Sequence, residues 1–193
     1  MTDHIHSTRE AWLNHAVLLT RQHLTDTAGV TVPQTIRVSC GFPGGGSART
    51  RIGECWSDQA SKDGQTEMFI SPVLDNTLDV LAVLVHEAIH AAVGTKAGHK
   101  GPFKRAAKLA GLEGKMTATH AGEGLKAKLA TWLTELGAYP HGALSLTGRK
   151  KQGTRLVKCA CPICGYTIRT TQKWLEFSGP PICSNNNVVM EVV

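Results

Sequence analysis

The residues best suited to chemistry lie near the middle of the chain, where His86-Glu87-Ala88-Ile89-His90 forms the pattern HExxH. Side chains four residues apart share one face of a helix, so both imidazoles can bind one metal ion. Glu87 lies beside them, where it can act on a water molecule without being a ligand. Zinc would lower the pKa of that water and polarise a carbonyl group, and Glu87 would move the proton. The pattern therefore predicts a hydrolytic zinc centre with Glu87 as the catalytic base.

A catalytic zinc ion takes three protein ligands and keeps one position open, so a third ligand must come from outside the motif. His99 is the favoured candidate. It follows the helix stop at Gly94 and precedes the helix start at Pro102, where the chain can fold back over the metal. A glutamate from a later element is the alternative, and Glu113 and Glu123 are the two candidates.

The elements that must position these residues follow from capping signals and hydrophobic spacing. An N-cap at Ser7 and later caps predict helices over 7–27, 75–94, 103–110 and 123–136. Short runs rich in alternating or β-branched residues predict strands over 35–40, 51–56 and 67–71. The fold class predicted is α+β. We expect a metallopeptidase-sized domain over 1–137, a basic linker over 138–155 and a small cysteine-bearing unit over 156–193.

The segment around the motif resembles the SprT-like family of zinc metalloproteases, which includes the Spartan-type and bacterial SprT proteins. The resemblance rests on Ile70-Ser71-Pro72, on the HExxH helix and on His99-Lys100-Gly101-Pro102-Phe103-Lys104. In that family the third ligand is a His in a short H-G-x-x-[FW] turn. Here Lys100 is inserted between His99 and Gly101, which departs from the family pattern.

This resemblance implies a minigluzincin-like core, in which a leading helix and a small sheet precede the HExxH helix and trailing helices. It implies a zinc metalloendopeptidase with a protein or peptide substrate, and a C-terminal zinc ribbon. It also implies that the strand at 67–71 forms the sheet edge onto which an extended peptide adds. The candidates for the group that stabilises the oxyanion are His120 and Tyr139.

A second metal site is predicted near the C-terminus. The turn Cys161-Pro162-Ile163-Cys164-Gly165 is a zinc knuckle, which places two thiolates on one metal. Cys183 supplies a third sulfur, but the residues 184–187 follow it where a Cys or His is expected. Cys159 could complete a four-sulfur set. We therefore predict one catalytic and one structural zinc ion, the second with an irregular fourth ligand.

Charge is spread unevenly along the chain, whose formal net charge is +6. Residues 1–95 contain 6 Lys and Arg against 10 Asp and Glu, whereas residues 96–193 contain 15 against 5. A basic half of this kind favours a polyanionic partner. The stretch from Tyr166 to Trp174 alternates and carries cations and aromatics, so it is predicted to be a basic strand suited to phosphates and bases. We expect sequence-independent DNA binding.

No membrane association is expected, because the longest apolar run, Val80 to Val85, is far too short to span a bilayer. The N-terminal residues lack an apolar signal core, so a cytoplasmic location with reduced thiols is expected. Two other functions stay open. One is a non-catalytic nucleic-acid-binding zinc protein with a vestigial HExxH site, and the other is a zinc hydrolase that acts on a substrate other than protein.

Overall fold

The computed structural model of the chain describes residues 5–44, 51–147 and 155–193. The chain forms two compact units that divide between Leu146 and Thr147. Helices and small sheets occur in both units, so the predicted α+β class is confirmed. Three cations of the predicted linker, Arg149, Lys150 and Lys151, lie outside the described residues.

The helices of the first unit are α1 (Arg9–Ala28), α2 (Thr77–Val93), α3 (Gly101–Leu109) and α4 (Glu123–Leu136). Thr8, and not Ser7 as predicted, is the N-cap of α1, and its hydroxyl accepts the Ala11 backbone amide at 3.1 Å. The side chain of Asn76 caps α2 by accepting two backbone amides. Within the described ranges, none of the helices combines the length and apolar composition needed to cross a membrane.

The sheet of the first unit contains β1 (Ile36–Cys40), β2 (Gly53–Trp56) and β3 (Thr66–Ile70), in the order β1-β3-β2. β3 pairs with β1 in parallel and with β2 antiparallel. The edge implied for residues 67–71 is therefore wrong, because β3 is the central strand and both of its sides are hydrogen-bonded. Among the described strands, β2 occupies the edge that borders the HExxH helix.

A hairpin of β4 (Leu112–Lys115) and β5 (Ala118–Ala121) lies between α3 and α4 and was not predicted. Its strands carry Gly114 and charged or small residues in place of the β-branched alternation that marks a strand. Gly114 adopts φ 89, a conformation that favours glycine. The hairpin matters because β5 packs beside α2 and supplies a contact to the motif.

α2 runs through the core of the first unit. Its fully buried apolar side chains are Val80, Leu81, Leu84, Val85, Ala88 and Ile89. They pack with α1 residues such as Trp12 and Leu13 and with the β3 residues Met68 and Ile70 in one hydrophobic cluster. A helix packed on most of its circumference has little freedom to tilt or slide. The two histidines of the motif are therefore carried on a rigid support.

The segment after α4 belongs to the first unit. Tyr139 is buried against Trp12, with ring centroids 5.0 Å apart, and its backbone amide donates to the Thr77 hydroxyl. A ring nitrogen of His141 lies 2.9 Å from the Pro72 carbonyl oxygen. The predicted linker, 138–155, thus differs from the structure at its start, because this part of it is anchored by side chains and hydrogen bonds.

The second unit contains β6 (Leu156–Ala160), β7 (Thr167–Thr171), α5 (Gln172–Ser178) and β8 (Glu191–Val192). Its strands lie in the order β7-β6-β8 and pair antiparallel. The predicted strand over 166–174 is shorter than expected, since its last residues form the start of α5. Trp174 therefore lies on a helix, where it is 53% exposed and does not fill the small core.

Candidate metal centres

Three imidazoles converge at one end of the first unit. His86 and His90 come from successive turns of α2, and His99 comes from the loop before α3. The Nε2 atom of His99 lies 3.2 Å from the Nε2 atoms of both other rings. Nitrogens bound to a tetrahedral zinc ion at about 2.0–2.1 Å are separated by about 3.3–3.4 Å. The three rings therefore form a group that could hold a metal ion and that fits zinc.

Burial keeps these imidazoles neutral, the form that can bind a metal. Burial together with the nearby imidazoles of His90 and His99 lowers the pKa of His86 to about 3, and burial together with His99 lowers the pKa of His90 to about 4. Burial also lowers the pKa of His99. Three rings that share one small volume cannot all be protonated without strong repulsion. The three neutral imidazoles are therefore suited to binding a metal cation.

Two side chains fix the orientation of the rings. The Nδ1 atom of His86 lies 2.7 Å from the hydroxyl oxygen of Thr119 on β5. When Nε2 faces the other imidazoles, Nδ1 carries the hydrogen and donates it to this hydroxyl. The buried ring of Phe103 stacks on His90, with centroids 4.2 Å apart and planes 26° from parallel. Phe103 also lies 4.8 Å from His86 and 5.0 Å from His99, so one aromatic side chain backs all three ligands.

Glu87 lies between the two motif histidines and is only 6% exposed. Burial raises its pKa to about 8, and the nearby charge of Glu54 adds to the rise while Arg51 opposes it. The backbone of β2 passes directly over this carboxyl group at Gly53. A Cβ atom there would lie within 3.0 Å of Glu87 Cδ and 2.6 Å from Val83 Cγ1. Only glycine allows β2 to approach so closely.

The three imidazoles and Glu87 open into a cavity of about 530 Å³. Its lining includes β2 with the two residues before it, and the start of β5 with the residue that leads to it. Arg51 and Glu54 form an ion pair at the rim, and both hold the backbone of Gly44. Cys55 also lines the cavity, and burial raises its pKa to about 12, with further contributions from Glu87 and Glu54. The site is a cleft with room for a ligand of peptide size.

The other predicted candidates lie elsewhere. Glu123 pairs with Lys126 at 2.8 Å on the exposed face of α4, and Glu113 packs beside Gly122. Neither belongs to the imidazole group. Among the described residues that line the cavity, neither His120 nor Tyr139 occurs, so the two oxyanion candidates gain no support.

In the second unit, Cys161, Cys164 and Cys183 bring their sulfur atoms together. The Sγ atoms of Cys164 and Cys183 lie 3.7 Å apart. Sulfurs bound to a tetrahedral zinc ion at about 2.3 Å are separated by about 3.8 Å, so this pair also fits zinc. The backbone amide of Cys164 lowers the pKa of the Cys161 thiol to about 7, against the opposing effect of burial. A thiolate is therefore readily available for a metal.

Cys159, predicted to complete a four-sulfur set, does not join this group among the described residues. It lies in β6, where it pairs with Ile168 and Val192, and its side chain is fully buried. Side chains two residues apart point the same way only within a strand, and Cys161 lies beyond the end of β6. Strand alternation therefore does not bring the sulfur of Cys159 to the group that contains Cys161. Cys159 is a core residue of the small unit.

Sequence reasoning missed the supporting residues more than the ligands. Gly53 carried a usable signal, because an isolated glycine in a strand often marks a close backbone approach. Thr119 carried none, since a threonine in an unrecognised hairpin looks like any surface residue. For Arg51 and Glu54 the sequence predicts only that they belong to a strand, and not that they form an ion pair.

Comparison with protein-family models, with curated proteins and with solved structures gives no match for this chain. The class of protein is therefore defined by its fold and by its ligand groups: a mixed α+β protein in which one histidine group and one cysteine group could each hold a metal ion.

Proposed function

We propose that the first unit is a zinc-dependent endopeptidase of the SprT-like type. The observation that carries this proposal is the convergence of three neutral imidazole nitrogens beside the buried carboxyl group of Glu87, inside an open cleft. A site that only stabilised the fold would need a fourth protein ligand and no buried carboxyl group. Three ligands with a base beside them favour hydrolysis.

In this proposal His86, His90 and His99 hold the ion, and Glu87 is the general base. Zinc supplies a Lewis acid that polarises the scissile carbonyl and acidifies water. Glu87 accepts a proton from the attacking water and passes it to the leaving amine. Burial raises the pKa of Glu87, which makes its ionised carboxylate a stronger base toward water, and the charge of a bound zinc ion would favour that ionised form. Phe103 and Thr119 keep the ligands in place.

The substrate proposed is an extended peptide that pairs with the outer edge of β2. This strand borders the cleft, and its Gly53 lies against Glu87. Backbone pairing with a sheet edge holds a peptide in an extended form without selecting strongly for its side chains. The peptide would thus be bound by β2, in place of the strand at 67–71 that the resemblance implied.

The order of elements is consistent with a minigluzincin-like core. A leading helix, a small sheet, the HExxH helix and trailing helices follow one another along the chain. The insertion of Lys100 is accommodated before α3 begins, and His99 still reaches the other two rings.

The test is the hydrolysis of an unfolded protein by the zinc-loaded full chain and by its Glu87→Gln variant. We expect turnover to fall on the order of 10²–10⁴-fold, since the amide cannot accept the proton, while zinc content stays the same. Glu123→Gln is the matched control, because this glutamate was the alternative ligand and lies on the surface. Unchanged turnover in zinc-loaded Glu87→Gln protein, or loss of zinc from Glu123→Gln protein, would contradict the proposal.

A second candidate function, sequence-independent DNA binding, rests on the second unit. Lys158 and Arg169 lie directly opposite each other in the β6–β7 ladder. Like charges at such positions destabilise a sheet, and a bound phosphate would relieve the repulsion. Trp174 and Phe177 are exposed on α5, which directly follows β7 along the chain. The Nζ atom of Lys173 lies 5.6 Å from the centre of the Trp174 ring. Exposed aromatics of this kind can stack on bases.

A salt titration of single-stranded DNA binding by the full chain tests this function. Removing one phosphate contact with Lys158→Ala should reduce the slope of log K against log salt by about 0.7. Lys62→Ala, a surface lysine of the first unit, should leave the slope unchanged. An equal slope in the Lys158→Ala variant would exclude this surface. Should DNA binding persist while zinc-loaded wild-type protein shows no turnover, the non-catalytic alternative would replace the peptidase.

A further inference from the structure

The second unit contains two turns with the same backbone hydrogen bonds. In the first, the Gly165 amide donates to the Cys161 carbonyl at 3.0 Å, and the Cys161 amide donates to the Tyr166 carbonyl at 2.8 Å. In the second, which begins at Cys183, the amide four residues on donates to the Cys183 carbonyl at 2.8 Å. The Cys183 amide donates to the carbonyl five residues on, also at 2.8 Å. The two turns are therefore equivalent residue by residue.

Backbone dihedrals agree with this equivalence. The fifth residue of the first turn is Gly165, with φ 70, and the fifth residue of the second turn is Asn187, with φ 51. Asparagine is among the few residues other than glycine that adopt this conformation readily. The residue before it is the second ligand, Cys164, in the first turn and Asn186 in the second. Asn186 thus stands where a zinc ribbon carries its fourth cysteine.

The side chain of Asn186 also reaches the sulfur group. Its amide nitrogen lies 3.5 Å from Cys161 Sγ and 3.7 Å from Cys183 Sγ. An oxygen at about 2.0–2.2 Å and a sulfur at about 2.3 Å from a tetrahedral zinc ion are separated by about 3.5–3.7 Å. The amide nitrogen therefore lies at the distance expected between two zinc ligands from two of the three sulfurs. The oxygen and nitrogen of the amide have nearly the same shape, so a half-turn of the amide puts the oxygen there.

We propose that Asn186 is the fourth ligand of the second metal site and binds zinc through its side-chain oxygen. The site is then three thiolates and one neutral amide. It is one unit less negative than a four-thiolate site, and one of its ligands is harder and weaker than sulfur. We expect this site to exchange its metal more readily than a four-cysteine ribbon. The inference concerns the second unit and does not depend on peptidase activity in the first.

One other arrangement uses the same contacts differently. The amide could keep its nitrogen toward the sulfurs and donate hydrogen bonds to two thiolates, which would leave the fourth position to water. The two arrangements respond in opposite ways to a carboxylate. If residue 186 is a zinc ligand, Asp offers an oxygen with a negative charge and strengthens binding. If the side chain only donates hydrogen bonds to the thiolates, Asp cannot donate and repels them, so binding weakens.

The experiment is a titration of the full chain with Co²⁺, read by the thiolate-to-metal charge-transfer absorption. The imidazole group of the first unit contributes nothing to this band, so the cysteine site is observed alone. Competition with Zn²⁺ then ranks affinities for wild type and for Asn186→Ala, Asn186→Asp and Asn186→Cys. The same three changes at the exposed neighbour Asn185 are the matched controls.

We expect Asn186→Ala to bind zinc at least 10-fold more weakly and Asn186→Asp to bind at least as tightly as wild type. Asn186→Cys should bind more tightly and raise the charge-transfer absorption by about a third, as a fourth thiolate joins three. Changes at Asn185 should alter neither quantity. Weaker binding by Asn186→Asp than by wild type, or no added absorption in Asn186→Cys, would overturn the proposal.

Discussion

The imidazole group of the first unit is backed by a large hydrophobic core, whereas the cysteine group of the second unit is itself a large part of the core. All three histidines contact Phe103, which belongs to the buried apolar cluster of the first unit, and the apolar side chains of that cluster are not themselves metal ligands. In the described part of the second unit, the buried cluster is Cys159, Cys161, Cys183 and Met190. Two of these four side chains belong to the metal-ligand group. The histidine site therefore lies beside a hydrophobic core that does not include its ligands, whereas two of the cysteine ligands are themselves part of the core of the second unit.

Size explains this difference. The second unit, Thr147–Val193, is close to the length of about 40 residues below which domains usually need a metal or disulfide. The cysteines of the chain are free. The first unit has a large buried apolar cluster, so we expect it to fold by packing. Its metal ligands are then not needed to stabilise the fold.

Removal of the metal should have the largest effect and should separate the two units. We expect a strong chelator to abolish the fold of the second unit, because binding energy there is folding energy. The first unit should stay folded. Hydrogen exchange on the full chain checks this: amides of β6 and β7 should lose protection, and amides of α2 should keep theirs.

A Cys161→Ser variant should reproduce the chelator result in the second unit without any chelator. Protected β6 amides in metal-free protein would contradict the claim that the second unit needs its metal to fold, since its small core would then be sufficient alone. Loss of α2 protection on chelation would contradict the claim that the first unit folds without its metal.

The second prediction concerns Gly53, the glycine that passes over Glu87. Gly53→Ala places a methyl group against Val83 and the Glu87 carboxyl group, so the base or β2 must move. We expect turnover to fall about 100-fold, because small misplacements of catalytic groups are costly, with a stability loss of about 1–3 kcal/mol. Peptidase assays and thermal unfolding measure the two effects.

Gly124→Ala is the matched control, because a Cβ there meets open space. It should leave turnover unchanged and, because alanine favours a helix over glycine, should raise stability by up to about 1 kcal/mol and not lower it. A Gly53→Ala variant with full activity would show that β2 does not restrain Glu87.

The sequence predicts the ligands of the first site well for a physical reason. Helical periodicity alone puts His86 and His90 on one face, and the helix stop at Gly94 returns the chain to them. α4 was predicted with its observed bounds because its leucines keep that period and Gly137 ends it. Local rules of this kind need no knowledge of the rest of the fold.

What the sequence does not predict depends on pairing between distant segments. The strand order β1-β3-β2 places β3 in the centre, and no local pattern distinguishes a central from an edge strand of five residues. Thr119 reaches His86 only because the β4–β5 hairpin forms. The residue type of Asn186 did not mark it as a ligand, and its equivalence with Cys164 is established by the backbone hydrogen bonds and dihedrals of the two turns.

The third prediction concerns Thr119, whose hydroxyl holds the Nδ1 atom of His86. Thr119→Val keeps the shape but removes the acceptor. Because such partners orient a metal ligand, we expect zinc affinity at the imidazole site to fall about 10- to 100-fold. The melting temperature of the metal-free first unit should hardly change. Thr117→Val, which also lines the cleft, is the control and should bind zinc normally.

The smallest effect is expected at Cys159, which distinguishes a core cysteine from a ligand. Cys159→Ala removes a buried sulfur from the second unit but no member of the converging group. We expect zinc stoichiometry to stay unchanged and the unit to lose about 1 kcal/mol of stability. Because this unit folds only with its metal, that loss should appear as zinc binding about five-fold weaker.

The matched variant is Cys161→Ala, which removes a ligand and should abolish binding at this site. Metal content by mass spectrometry of the native full chain separates the two variants. A Cys159→Ala protein that loses its second zinc ion would make Cys159 the fourth ligand and exclude Asn186 from that position. Retained zinc with unaltered affinity would instead show that the metal-free unit keeps its fold, because only a unit that folds on binding transfers a packing defect into metal affinity.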